Sequence, residues 1–488
     1  MAAMTDDTLI RLTATEAVAR LRAKDITPLD LIDAAAARIA AVEPAVNALP
    51  TLCLDRARDH ARALMRGARR EAEGEAGWLA GLPVAIKDLT AVAGVRTTYG
   101  SPIFADHVPA HSHPIVERIE RKGGIVIAKS NTPEFGAGGS TFNEVFGRTR
   151  NPWNTSLTCG GSTGGGAVAL ATGEVWLAHG SDHGGSLRRP ATYCSVVGMR
   201  PSPGRVTRGT EEDLYSPLSV QGPMARNVAD LALFLDTMAG WDLHDPLTWD
   251  APARSYVATV AAAEAERPKR IAFTADFGGA LPMDREMAEI CAREVRRFEA
   301  LGCEIEEVHP ELGALMDAFL VLRSQHFVVD REKLLATQRD RLKPDIIWQT
   351  ERGLSGTPSR LAWAEHERTR FFRALRDIFA RCDVLVTPGA STAAFDVMLR
   401  APERIAGRTL ENYMGGSLIN AFATLAGCPA VAVPCGFDRH GRPVGLQVVA
   451  PPRQDGRALQ AAALFEGMTG LDRMVPLDPK PGVVPPYE

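Results

Sequence analysis

From Gly77 onward the chain alternates short apolar runs with helix-length stretches, and this alternation restricts the fold more than any other feature. The runs are LPVAIK (82–87), GIVIAK (124–129), VWLAH (175–179) and SVVGMR (195–200). A second set follows at RIAFTA (270–275), CEIEEV (303–308), DVLVTP (383–388), PAVAVP (429–434) and VGLQVVA (444–450). Runs this short and this apolar read as strands buried on both faces. Between them, helical spacing predicts helices over 114–122, 164–172, 227–239, 284–301, 311–337, 358–382, 417–426 and 455–468. The first 75 residues read as helical. Thr27-Pro28 makes a helix start, Leu31, Ile32, Ala35, Ile39 and Val42 recur on one face, and a second helix spans roughly 54–70. Strands alternating with helices predict an α/β fold around one mainly parallel or mixed sheet. The polar stretch Asp242–Ala253 reads as a loop within it, and the Pro-rich tail after 477 as extended.

Composition removes several classes of function. With 488 residues the chain can bury a large core, and a net charge of −4 leaves no basic excess to hold nucleic acid or an anionic membrane. Eight cysteines (53, 159, 194, 291, 303, 382, 428 and 435) are scattered without a CxxC or zinc spacing and read as reduced small hydrophobes. The N-terminus lacks the basic and apolar regions of a signal peptide, and no apolar stretch approaches the ~20 residues of a membrane span. A soluble cytoplasmic protein is expected.

Chemistry concentrates between Cys159 and Pro201, where Ser162 and Ser186 each sit in a glycine cluster. Glycines permit positive φ and close backbone approach around a reacting atom. GGSTGGG is not a phosphate loop, since no lysine follows the second glycine and GxGxxG cannot be placed in register. Gly160–Gly164 fits GxSxG, the nucleophile elbow, but polar RNPWNTSLTC precedes it where a buried strand is required. The remaining reading joins both serines to Lys87 in GLPVAIKDL. A buried lysine can act as a base, because burial disfavours the ammonium and lowers a solution pKa of ~10.4 by up to ~3–5 units.

GLPVAIKDL, GGSTGGGAVALATG and GSDHGGSLRRPATYCSVVGMRP resemble the three sequence hallmarks of the amidase signature family. NTPEFG (131–136), FGRTRNPWN (146–154) and PAVAVPCGFDRHGRPVGLQVVAP (429–451) resemble its flanking and C-terminal segments. The resemblance implies the amidase signature fold, a large central mixed sheet with helices on both faces. It implies one domain over 1–488: a helical layer (1–75), a catalytic core (76–240) and the remaining sheet with substrate-lining helices (241–488). It further implies amide hydrolysis without cofactor or metal through a Ser–Ser–Lys triad. Ser186 matches the nucleophile, Ser162 the bridging serine that usually follows a cis peptide, and Lys87 the base. His183-Gly184-Gly185-Ser186 matches the loop whose backbone N–H groups meet the oxyanion.

Several positions depart from the family pattern. Thr163 replaces a serine, and Gly166 often stands where serine does, which predicts a looser loop. His183 is unusual, and with His179 it raises an i, i+4 metal pair. No third ligand is evident, so a pocket-lining or packing role is expected. Asp182 and Arg188 bracket the loop and are expected to pair and brace it, so that Asp182→Ala lowers turnover without loss of the fold. Phe135, Phe142, Phe146, Tyr193, Phe327, Tyr413 and Met414 come from the lining regions and predict a largely apolar pocket, although most of them are expected to be plain core packing. The expected partner is a small-molecule amide or carbamate, with esters also within reach of the chemistry, and a monomer or homodimer. The alternative is the glutaminase subunit of a tRNA-dependent amidotransferase. Such subunits usually carry Arg-Tyr-Asp-Gly, which is absent from QTERGLSGTPSRLAWAEHE (349–367).

Overall fold

Eleven strands hydrogen-bond into one sheet in a computed structural model that describes residues 6–68, 71–209 and 213–485. In chain order they are β1 (Thr51–Leu52), β2 (Pro83–Lys87), β3 (Ile125–Ser130), β4 (Leu177–Asp182), β5 (Val197–Arg200) and β6 (Val220–Ala225). The rest are β7 (Arg270–Phe273), β8 (Glu304–Glu307), β9 (Val384–Pro388), β10 (Ala430–Phe437) and β11 (Pro443–Val449). Their order across the sheet is β1-β3-β2-β4-β6-β5-β10-β11-β9-β7-β8. β2 runs parallel to β3 and β4, and β7 parallel to β9 and β8, while the strands from β4 through β6, β5, β10 and β11 to β9 are antiparallel neighbours. The sheet is therefore mixed.

Both faces are covered, and the strand sequences show how. Side chains alternate across a strand, so Ile271, Phe273, Val384 and Val386 enter one apolar layer. That layer also holds Leu31, Leu231 and Leu459 from the helices Pro28–Val46, Val228–Met238 and Asp455–Thr469. Ala272 and Leu385 face the other layer, with Phe319, Phe371 and Phe422 from the helices Leu315–Gln338, Pro358–Phe379 and Leu418–Leu425. Two-sided burial is why these strands read as unbroken apolar runs.

The expected strands and helices form close to their expected bounds, and several further elements form that were not expected. β6 is central yet carried no signal, because Gln221, Gly222 and Pro223 interrupt its apolar pattern. Pro223 lies opposite His179 of β4 and beyond the part of β6 that pairs with β5. Short helices at Arg188–Cys194 and Pro344–Leu354 were also not anticipated. β4 continues past His179 through Gly180 and Ser181 to Asp182.

Asp242–Ala253 forms a loop without helix or strand. The Trp249 ring lies 3.4 Å from the Arg205 guanidinium, and Asp245 accepts from the Arg208 N–H at 2.8 Å. Among the described residues no helix is long and apolar enough to cross a membrane.

Candidate active site

β2 and β4 are parallel neighbours, with Ile86 opposite His179, so their C-terminal ends lie side by side. Lys87 ends β2, and Ser181 and Asp182 end β4. The third component is the turn Gly160–Thr163, which leads into the buried helix Gly164–Thr172. Its glycines are needed for packing: a Cβ on Gly164 would lie 2.2 Å from Thr141 Oγ1, and one on Gly165 would lie 2.5 Å from the Asn131 nitrogen. A Cβ on Gly166 would approach Ala178 Cβ at 3.3 Å. Gly166 therefore sits in a packed helix, not in the looser loop that its departure from serine predicted. The Gly161–Ser162 peptide is cis.

Lys87 is fully buried and Ser162 nearly so. Lys87 Nζ lies 2.6 Å from Ser162 Oγ, 2.9 Å from Thr163 Oγ1 and 3.1 Å from Ser181 Oγ. The Thr163 hydroxyl donates to the Ser181 carbonyl at 3.3 Å, which leaves it to accept from the amine. The carboxylate next in sequence is engaged elsewhere: Asp88 Oδ1 accepts from Lys129 Nζ at 3.0 Å, and its Oδ2 accepts from the N–H and hydroxyl of Thr98. Lys129 and Asp88 are buried, and burial holds the Lys129 amine below its usual range although Asp88 opposes the shift.

The Ser186 loop is built on Asp182. Asp182 Oδ1 accepts from Arg188 Nη2 at 2.7 Å, and Oδ2 from Arg188 Nε at 3.0 Å. The same carboxylate accepts from the N–H groups of Gly185 and Leu187, each at 3.0 Å. Arg200, which the sequence reading did not single out, donates to the Asp182 carbonyl at 2.8 Å, and its Nη1 lies 3.5 Å from Oδ1. Burial alone would raise the Asp182 carboxyl, but Arg188, Arg200 and the Leu187 N–H outweigh it and hold the group well below the usual carboxylate range. Arg188 also donates to the Asn420 carbonyl at 2.8 Å and to Gln447.

The loop is tied to the lysine side by backbone: the Thr163 N–H donates to the Ser186 carbonyl at 3.1 Å. Ser186 is partly exposed, in contrast to Lys87. Of the four N–H groups expected to face an oxyanion, that of Gly185 is committed to Asp182 and is not free for substrate. Among the described residues the N–H groups of Gly184 and Ser186 have no acceptor. Gly185 has φ +107°, and a Cβ there would lie 2.6 Å from Asn420 Cβ.

His179 and His183 do not form a metal pair. They are separated along and just past a strand, where four residues span ~13 Å. No cluster of three metal-ligating side chains occurs among the described residues. Burial lowers His179 to about 3. His183 Nδ1 is 2.9 Å from Ser219 Oγ, and its ring centroid is 5.7 Å from that of Phe319 and 5.2 Å from that of His326.

A cavity of about 410 Å³ is lined by Glu134, Gly138, Ser140, Phe142, Lys343, Arg400 and Tyr413 among others, and its Gly138 and Ser140 also pack against Gly161. Only Phe142 and Tyr413 of the seven expected residues line it. Tyr193 is buried with its hydroxyl on the Thr392 carbonyl, Phe135 and Phe327 join a small separate cluster, and Phe146 lies beneath Arg96. Met414 packs behind Gly184. The lining of this cavity is mixed, with Glu134, Lys343 and Arg400 beside Phe142 and Tyr413. The aromatic residues were counted on regional sequence, which cannot show which way a side chain faces.

The family model described as Amidase matches residues 30–459. An acylamidase from Rhodococcus erythropolis is 34% identical over 471 residues, covering 95% of this chain and 97% of that protein. A glutamyl-tRNA(Gln) amidotransferase subunit from Moorella thermoacetica is 35% identical over 497 residues, covering 96% of this chain and 99% of that protein. The crystal structure of a bacterial aryl acylamidase, one of the amidase signature enzymes, superposes with a TM-score of 0.86 at 26% identity, covering 95% of this chain and 97% of that one.

Proposed function

This chain belongs to the amidase signature family and is a hydrolase of amide C–N bonds, and from that premise we propose that it acts through an acyl-enzyme on Ser186, with Ser162 as proton relay and Lys87 as base. The observation that carries this reading is the 2.6 Å contact between Lys87 Nζ and Ser162 Oγ in a fully buried setting.

The reading takes the amine as neutral, with two N–H donors and one lone pair. Donation to Thr163 Oγ1 and Ser181 Oγ then leaves the lone pair for the Ser162 hydroxyl, 2.6 Å away. The adjacent carboxylate does not join this set, since Asp88 serves Lys129. On attack, the Ser186 proton passes to Ser162 while the Ser162 proton passes to Lys87, and the C–O bond forms. The N–H groups of Gly184 and Ser186 receive the developing oxyanion, and His183 begins that loop. Collapse breaks the C–N bond as Ser162 passes its proton to the leaving amine and Lys87 returns one to Ser162, which leaves the lysine neutral again. Water then repeats the sequence on the ester.

The substrate is a small-molecule amide, and esters and carbamates are open to the same chemistry. The likeness to an acylamidase and an aryl acylamidase favours amides of aryl amines. The experiment is to incubate wild type and Ser186→Ala with 4-nitroanilides, aliphatic amides, aryl carbamates and glutamine, and to map labelling by a fluorophosphonate. Anilide turnover and Ser186 labelling, both lost in the variant, are expected. Labelling elsewhere, or turnover retained without Ser186, overturns the assignment.

A further inference from the structure

The face of the helix Leu315–Gln338 that covers the Ser186 loop carries an apolar residue, Phe319, and one helical turn later a buried cation, Arg323. Phe319 Cζ lies 3.3 Å from where a Gly184 Cβ would stand. The Arg323 guanidinium sits 4.7 Å from the centroid of the Phe327 ring and donates through Nη2 to the Tyr413 hydroxyl at 3.1 Å. Arg323 is 5% exposed, and among the described residues it has no carboxylate partner. Its Nε is buried without an acceptor. His183 Nε2 is likewise buried without a partner.

His183 packs against the same helix, its ring centroid 5.7 Å from that of Phe319 and 5.2 Å from that of His326. Arg323 is the foremost charged group acting on His183, after burial, and together with His326, Arg200 and Arg208 it holds that imidazole well below its usual range. A neutral His183 whose Nδ1 accepts from Ser219 presents Nε2–H as a donor. Two carboxylates stand on the far side of His326: Asp213 Oδ2 lies 3.0 Å from its Nδ1 and Asp330 Oδ2 lies 3.3 Å from its Nε2, while Asp330 Oδ1 is buried without a hydrogen-bond partner among the described residues. Tyr413 also lines the 410 Å³ cavity, which places Arg323 directly behind the wall of that space. Among the described residues the guanidinium has a neutral hydroxyl and a ring face for company, and a buried cation is costly unless an anion completes it.

We infer that Arg323 and His183 Nε2 form a subsite beside the Ser186 loop that reads a carboxylate on the substrate, so that the preferred amides carry an acidic group a few bonds from the scissile carbonyl. The inference rests on the amidase reading above. Arg323 determines specificity here and takes no part in bond breaking.

The test compares the 4-nitroanilides of butyric acid and of succinic acid (as the free monoacid), with the glutaric homologue to set the distance. Wild type is expected to hydrolyse a carboxylated anilide with kcat/KM about tenfold or more above the neutral one, chiefly through KM. In Arg323→Met that ratio falls about tenfold or more, and Arg323→Lys recovers part of it. Equal turnover of the two classes by wild type, or an unchanged ratio in Arg323→Met, overturns the subsite. If Arg323→Met is inactive on both, Tyr413→Phe, which frees one arm of the guanidinium, decides by the same ratio. Wild-type failure on every anilide refutes the aryl-amide reading instead, and the fluorophosphonate label then shows whether Ser186 is reactive at all.

Discussion

Asp182 and Arg188 form a fully buried two-pronged pair, 2.7 Å from Oδ1 to Nη2 and 3.0 Å from Oδ2 to Nε, six residues apart across the Ser186 loop. The same carboxylate gathers two loop N–H groups and faces Arg200. It is therefore both a brace for the loop and the counter-charge for two interior cations.

Removing that charge does more than loosen the loop. Asp182→Ala leaves two arginines without their anion, and breaking a buried pair typically costs about 3–5 kcal/mol. The expectation that the fold is left largely intact is revised accordingly. Asp182→Asn, which keeps the size of the side chain, is expected to retain the fold at reduced stability and to lower kcat more than it raises KM. Urea unfolding beside steady-state kinetics checks both.

The pair also sets an acid limit. The Asp182 carboxyl is held well below its ordinary range when folded, so its contribution is present above ~3.9, the unfolded value, and declines as pH falls toward the folded value. Stability measured between about pH 3 and pH 6 is expected to drop with acid in wild type and to drop less steeply in Asp182→Asn. Parallel slopes would show that other carboxylates dominate.

Thr163 Oγ1 accepts from the Lys87 amine at 2.9 Å. Thr163→Val keeps the shape but removes that acceptor, and is expected to lower kcat about ten- to hundredfold with little change in KM. Thr163→Ser is expected to restore most of it. Gly180→Ala should act on the same residue, since its Cβ would lie 2.3 Å from Thr163 Cγ2.

Gly185 admits no side chain. Gly185→Ala combines a positive φ with a 2.6 Å approach to Asn420 Cβ, and overpacking of this kind costs about 1–3 kcal/mol. Loss of kcat with a modest fall in melting temperature is the expected result, and the double variant Gly185→Ala/Asn420→Gly should recover part of the turnover.

The segments nearest the chemistry were the most legible in the primary structure, because they are continuous: β2, the Gly164–Thr172 helix and the glycine loops each announce themselves over a few residues. β6 was not legible, since Gly222 and Pro223 hide a strand whose place is decided by its neighbours. The roles of Ser181, Arg200 and Lys129 were equally hidden. Ser181 is an ordinary serine in GSD until β4 is laid parallel to β2, which brings its hydroxyl to the lysine. Most of the seven aromatic and methionine residues pack as core, as expected, but which of them face a cavity depends on side-chain direction.

By itself the order of residues determined an α/β sheet buried on both faces and drew attention to Lys87, Ser162 and Ser186, because periodicity and glycine spacing are local properties of the chain. Tertiary structure alone decided which hydroxyls surround Lys87, that Gly185 spends its N–H on Asp182, and that Arg323 lies buried without an anion among the described residues. Each of those depends on groups brought together from distant parts of the chain, where burial and hydrogen-bond geometry, not sequence spacing, set the outcome.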